Sequence, residues 1–199
     1  MKLKAAAALL CVAACSGNSA GPIGVFGPVC GSSSILGVAE RAVSSPVSRQ
    51  CGIDNPVRLH EVAGVRLSQK ALLNCGAAKS LERWVRKDVK PSVKDIGERL
   101  ESIRVIAHYT CRTRNNRAGG RISEHGKGNA IDIAGFGLKG GVDISVLRDW
   151  GNGEKGEVLS RARRAACGPF GVVLGPGSDR FHRDHFHLDV SNLGRPYCR

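Results

Sequence analysis

The sequence predicts an α+β fold, a mainly antiparallel sheet with flanking helices. Three observations carry that reading. Helical periodicity is confined to a few stretches, the longest near residues 69–89 and 156–166. Short β-branched and aromatic runs recur at 103–109, 130–136, 142–146, 171–174 and 185–190. The resulting order of helices, strand, loop, strands, helix, strands is that of an α+β chain. At 199 residues with 42% hydrophobic composition, the chain suits one domain with a real core plus an export segment.

Taken in order, residues 15–48 are rich in Gly, Ser and Pro and read as a flexible tether, which puts the folded domain at 49–199. From Gln69 to Val89 the residues Leu72, Cys75, Ala78, Leu81, Val85 and Val89 recur at helical spacing, with Ser68 as N-cap and Pro91 as terminator. Ser92 to Leu100 reads as a second short helix. Ile103–Tyr109 is a strand, and residues 110–124 form a polar loop carrying Arg112, Arg114, Arg117 and Arg121. Ala130–Phe136 and Val142–Val146 are strands. Gly156–Ala166 is a helix with a basic outer face, and Gly171–Leu174 and His185–Val190 complete the strand set.

The N-terminus bears on compartment. Lys2 and Lys4 precede an apolar run, Ala5 to Ala14, too short to span a bilayer and suited to a secretory signal over residues 1–14. Val12-Ala13-Ala14-Cys15 resembles a bacterial lipobox, which makes Cys15 the lipidated residue and the membrane anchor; Ser16 after it implies outer-membrane sorting. Acyl chains of that kind anchor firmly, at about 0.8 kcal/mol per buried CH₂. Beyond the signal, Cys30, Cys51, Cys75, Cys111, Cys167 and Cys198 form an even set without a C-x-x-C pair. Such a set reads as three disulfides in an exported protein, with Cys111–Cys167 the preferred pair because each sits beside a core element. A formal charge of +13 favours an anionic partner, and export removes nucleic acid from the candidates. Peptidoglycan is then the expected partner, the location is periplasmic, and a monomer is expected.

Two segments carry chemistry. In Ser123–Asp132, Gly126 and Gly128 allow a tight connection that brings His125 and Asp132 toward one point. Asp132 shares a strand face with Ala130 and Ala134, while Ile131 and Ile133 take the other, a poor core design and a good ligand position. In Phe181–Val190, His185, His187 and Asp189 point one way and Phe186, Leu188 and Val190 the other. Two histidines and a carboxylate are a recognised catalytic zinc set, with one position left for water or substrate. Spacing alone does not choose between His185 and His187. His108 reads as a satisfied core or edge histidine, His60 as surface, and Trp84 and Trp150 as core anchors.

These motifs carry a resemblance. S-x-H-x-x-G-x-A-x-D followed by D-H-x-H resembles the zinc peptidases of the D-Ala-D-Ala carboxypeptidase, murein endopeptidase and hedgehog superfamily. With Y-x-C-R at 109–112 and G-P-G-S-D-x-x-H-x-D-H-F-H-L-D at 175–189, the chain is similar to the bacterial extensin-like C-terminal domain family. The resemblance implies one Zn²⁺ held by His125, Asp132 and His187, and a hedgehog/D-Ala-D-Ala peptidase-like fold. It places Asp184 where carboxypeptidase-type members carry a general-base glutamate, one methylene longer. The endopeptidase-type pattern favours His182 and His185 instead. Asp189 is expected to orient a ligand histidine. Arg112 and Arg114 are candidates for an oxyanion or substrate carboxylate, against a solvated basic loop. The expected activity is periplasmic zinc-dependent hydrolysis of peptidoglycan stem peptides or cross-links; the rival is a zinc-containing wall-binding module without turnover.

Overall fold

The computed structural model describes residues 20–199; the expected signal and the expected lipidation site at Cys15 lie outside them. In chain order the elements are β1 (Phe26–Val29), β2 (Ser32–Ala39), β3 (Val43–Ser44), β4 (Gly52–Ile53), β5 (Pro56–Val62) and β6 (Val65–Asn74). Then come α1 (Cys75–Trp84), a π-turn (Val85–Val89), α2 (Lys90–Lys94), β7 (Leu100–Ala107), β8 (Ala130–Leu138) and β9 (Asp143–Ser145). The chain finishes with α3 (Val146–Asp149), α4 (Gly153–Ala166), β10 (Val172–Leu174), β11 (Phe186–Asp189) and β12 (Tyr197–Cys198). Ten strands form one sheet in the order β1-β2-β5-β6-β7-β8-β11-β10-β12, with β9 on β8, while β3 and β4 pair separately. Only β6–β7 and β10–β12 are parallel. The class is therefore α+β with a large, mainly antiparallel sheet. Among the described residues no helix is long and apolar enough to cross a membrane.

The sheet has two different faces. On one, α1, the π-turn, α2 and α4 cover Ile103, Ile131, Ile133, Phe136, Phe186 and Leu188. Trp84 anchors this side: it is fully buried, and its indole N–H donates to the Ala162 carbonyl at 2.8 Å. Its ring meets Phe136 and Phe170 at 6.0 and 6.3 Å between centroids. Trp150 is half-buried, edge-on to Phe186 and under the Arg163 guanidinium. The opposite face of β8, β11 and β10 faces the loops, and the polar residues of interest lie there.

Several expectations are corrected. Residues 20–48 are no tether, since β1, β2 and β3 fall there and Cys30 is buried in a disulfide to Cys75. The alternation of Ser34, Leu36 and Val38 with the buried Ile35 and Ala39 was hidden by the Gly and Ser around it. Residues 65–74 are strand where a helix from Gln69 is expected. Val65 and Leu67 alternate with polar residues, and Ala71, Leu72 and Leu73 are buried on both sides, so Leu72 matches helical spacing by coincidence. The helix starts at Cys75, six residues later than expected: Asn74 is its N-cap and accepts from the Ala77 N–H at 2.8 Å. Pro91 does not end it. Proline has no N–H to offer and the helix widens into the π-turn just before it, then continues to Lys94. Residues 95–99 are not helical, and Leu100 already begins β7.

The disulfides are Cys30–Cys75, Cys51–Cys111 and Cys167–Cys198. The Cys111–Cys167 pairing is ruled out by strand order. Cys111, just after β7, pairs with Cys51, whereas Cys167 pairs with Cys198 of β12, and β7 and β12 lie four strand spacings apart, roughly 19 Å. A disulfide needs Cα atoms within about 7 Å. Sitting beside a core element does not place two cysteines beside each other.

Two outcomes follow from this packing. Trp84→Ala should cost about 3–5 kcal/mol, read as a lowered midpoint in urea unfolding. Both sulfurs of Cys167–Cys198 belong to exposed residues, whereas Cys30, Cys75 and Cys51 are buried. Graded reduction with alkylation and peptide mass spectrometry should therefore label Cys167 and Cys198 first.

Candidate metal centre

Sheet register builds the centre. On β8, Asp132 stands between Ala107 of β7 and His187 of β11, its direct cross-strand partner. Ala130 and Ala134 flank Asp132 on its face and leave room above it. His125 arrives from the short turn Glu124–Lys127 just before β8. That turn closes on Gly128, at φ 66°, where a side chain would also overlap Ile53. Gly126 packs so close to Cys51 that a Cβ would lie 2.9 Å from its sulfur. The Cys51–Cys111 disulfide and the turn thus hold each other, with the His125 carbonyl accepting from the Thr110 N–H.

Three atoms converge. His125 Nε2 lies 3.2 Å from Asp132 Oδ1 and 3.2 Å from His187 Nδ1, and His187 Nδ1 lies 2.9 Å from Asp132 Oδ1. The outward nitrogens are already committed. His125 Nδ1–H donates to the His108 carbonyl at 2.9 Å, and His187 Nε2–H donates to Asp189 Oδ2 at 3.2 Å. In the neutral rings the inward nitrogens therefore carry lone pairs, which face a carboxylate oxygen in a pocket where His125 and Asp132 are buried. Three lone-pair atoms at this spacing need a proton or a cation between them. Ligand atoms on a tetrahedral ion with bonds near 2.0–2.1 Å would be about 3.3 Å apart, so the set fits a small divalent cation with little adjustment.

Electrostatics agrees with the geometry. Burial alone would lower the His187 pKa, but hydrogen bonds and charge from Asp132 and Asp189 outweigh it and raise the value to about 9. Burial alone would raise Asp132, and the two imidazoles instead hold it far below the ordinary carboxylate range. Without a metal, then, a proton on His187 supplies the positive charge. Asp189 is fixed in turn by the Ser191 N–H at 2.8 Å and the Ser191 hydroxyl.

Two more histidines stand at the rim. His185 directs Nδ1 to Asp184 at 2.7 Å, which leaves Nε2 3.7 Å from the second oxygen of Asp132. Asp184 is 55% exposed and reaches the centre only through His185. His182 is buried and bonded through Nδ1 to Asp179 at 2.8 Å. Burial lowers its pKa, and Asp179 offsets part of that effect. Asp179 has no assigned role in the sequence reading, although its spacing three residues before His182 is visible in the motif. Glu124 likewise stands out only in the structure. It is buried, accepts from Lys127 at 2.9 Å and Asn129 at 2.7 Å, and lies 3.8 Å from Arg114.

These groups line a cleft of about 600 Å³, with Arg112 and Arg114 on one wall and Val172, Leu174, Leu193 and Tyr197 among the residues of the other. His108 departs from expectation. Its carbonyl holds His125, but its buried Nδ1 has no hydrogen-bond partner among the described residues. His60 is half-exposed against Phe26.

Over residues 31–199 the chain matches the family described as Extensin-like protein C-terminus, and it belongs to that family. The match begins just before β2, in keeping with the folded state of that segment. No curated protein and no solved structure was found to match the chain.

The pH response of metal-free protein tests the His187 assignment. A folded pKa raised to about 9 from 6.5 stabilises fully below the lower value and loses that contribution as pH rises through the higher one. Chelator-treated wild type should lose on the order of 2 kcal/mol, relative to His187→Gln, between about pH 6.5 and 9.5. Unfolding free energies at both ends measure it; a gap independent of pH would contradict the assignment.

Proposed function

We propose that this extensin-like domain is a zinc-dependent peptidase of the cell envelope, hydrolysing amide bonds in peptidoglycan stem peptides or cross-links. The observation that carries the reading is the inward convergence of His125 Nε2, Asp132 Oδ1 and His187 Nδ1 while both outer ring nitrogens donate to oxygen. That arrangement fixes the tautomers a metal requires. The motif resemblance to D-Ala-D-Ala carboxypeptidases, murein endopeptidases and hedgehog proteins supports zinc, one ion per chain. It also supports placing the fold with theirs. Export through residues 1–14, a lipid anchor at Cys15, a periplasmic outer-membrane location and a monomeric state complete the proposal. A charge of +13 suits a wall rich in carboxylates.

Zinc at this position supplies a Lewis acid and a water acidified toward neutral pH. The protein's own part is proton handling and orientation. His185 presents Nε2 toward the cluster with Nδ1 held by Asp184, so it serves as the base that accepts the water's proton. His182, whose pKa burial lowers and whose Nδ1–H is held by Asp179, stands beside it with 5.3 Å between ring centroids, and the proton taken up by His185 passes from there to the leaving amine. Asp184 acts as the positioning partner of His185. Arg112 and Arg114 face the substrate from the cationic wall and bind a carboxylate or the developing oxyanion.

Metal analysis of protein purified without a His-tag should give about one zinc per chain. His125→Ala and His187→Ala should each lose most of it. Incubation with purified sacculi should release new amine termini in a chelator-sensitive manner. His185→Ala should lower turnover about a hundredfold or more with zinc still bound. Sacculus binding without product release would replace the peptidase with a zinc-bearing wall-binding module, and zinc-free protein would end both readings.

A further inference from the structure

The two walls of the cleft differ in chemistry, and sheet register fixes where the difference falls. On the site face, one row across the sheet runs Asp132, His187, Leu174, since His187 pairs with both Asp132 and Leu174. The next row runs Ala130, Asp189, Val172, Tyr197. Passing from β8 to β12 the face changes from cation-binding donors to Val172 and Leu174, and ends on an aromatic ring. With strands about 4.8 Å apart, Leu174 lies roughly 5 Å from His187 and roughly 10 Å from Asp132.

We infer that Val172, Leu174, Leu193 and Tyr197 form an apolar subsite one strand from the donor cluster, which takes an aliphatic side chain of a peptide-like ligand. The inference rests on the metal reading above and adds the ligand's polarity to it. The strip is uncovered: Leu193 is 58% exposed and Tyr197 45%, with Val172 and Leu174 half-buried at its base. It is also fixed in place. The Tyr197 N–H donates to the Gly171 carbonyl and the Arg199 N–H to the Val173 carbonyl, each at 2.8 Å, and Cys198 is bonded to Cys167. Arg199 sits 5.5 Å from the Tyr197 ring centroid and steadies it. Arg112 and Arg114 line the same cleft from the segment after β7, on the far side of β8 and β11 in the strand order, with Arg114 3.8 Å from Glu124. A ligand spanning the cleft is therefore anionic at one end and aliphatic at the other, with the cluster between them. An extended chain advances about 3.4 Å per residue, so the aliphatic group belongs within one or two residues of the group at the cluster.

Two hydroxamates with one chelating head and different tails test this on zinc-loaded protein. Calorimetry should find 4-methylpentanohydroxamate about tenfold tighter than acetohydroxamate. The ratio should fall below about threefold in Tyr197→Ser and Leu174→Ser, and survive in Tyr197→Phe and Leu174→Met. Equal affinity for the two compounds in wild type overturns the subsite and leaves the metal reading intact. If neither compound binds, the metal reading fails, and metal-free protein decides the subsite by NMR. Shifts at Leu174 and Tyr197 with N-acetyl-leucine but not N-acetyl-glycine then support it, and their absence overturns it.

Discussion

Three acceptor atoms held within 3.2 Å of one another repel unless positive charge joins them, and much of this structure serves to keep them there. Asp132 and His187 are fixed by strand pairing, which a slip of one residue would abolish by turning one of the two side chains into the helical layer. His125 is fixed by a carbonyl on one side and by a glycine turn wedged against a disulfide on the other. Leaving a carboxylate buried and unpaired costs several kcal/mol. The site is therefore stable only when occupied by a proton or a cation. The raised pKa of His187 expresses that constraint in the metal-free protein.

Stability and chemistry are divided between the faces of one sheet. The helical face supplies the burial that offsets the cost of the polar face, with Trp84, Phe136, Phe170 and Phe186 all fully enclosed. A polar chain links the two. Asn74 caps α1 through its Oδ1 and donates through Nδ2 to Asn129, which donates to Glu124 beside His125. Asn129 also accepts from the Val190 N–H through its carbonyl, so the start of α1, the turn before β8 and the end of β11 meet at one residue. A loose N-cap on α1 would be felt at His125.

The candidate site was more legible in the sequence than the first third of the fold. Strands β7, β8, β9, β10 and β11 announce themselves because each has β-branched, aromatic or leucine side chains facing the helices, and Asp132 and His187 stand out as polar interruptions of that pattern. Register, which spacing does not specify, separates His187 from His185. The N-terminal strands were hidden because β2 builds its buried face from Ile35, Gly37 and Ala39 among serines, and composition resembles a linker. At 65–74 a strand buried on both sides lost its alternation just where a helix follows, and the two periods merged. Disulfide pairing depends on strand order, which no local pattern carries.

The segment from Asp179 to Asp189 contains six carboxylate and imidazole groups that matter in two different ways. His187 and Asp189 belong to the sheet and serve the cluster. Asp179–His182 and Asp184–His185 precede the strand and form two pairs in which a carboxylate holds one ring nitrogen. An aspartate adjacent to its histidine is too short to hold that ring and also reach the cluster. Its contact with Nδ1 therefore passes the basic position to the imidazole. Under the peptidase reading, cation binding and proton transfer are thus carried by separate side chains, and either can be altered without rebuilding the other. Both rows of the site face turn apolar beyond β11, one at Leu174 and the next at Val172 and Tyr197, so under the same reading a single register sets the donor cluster and the ligand's tail relative to one another.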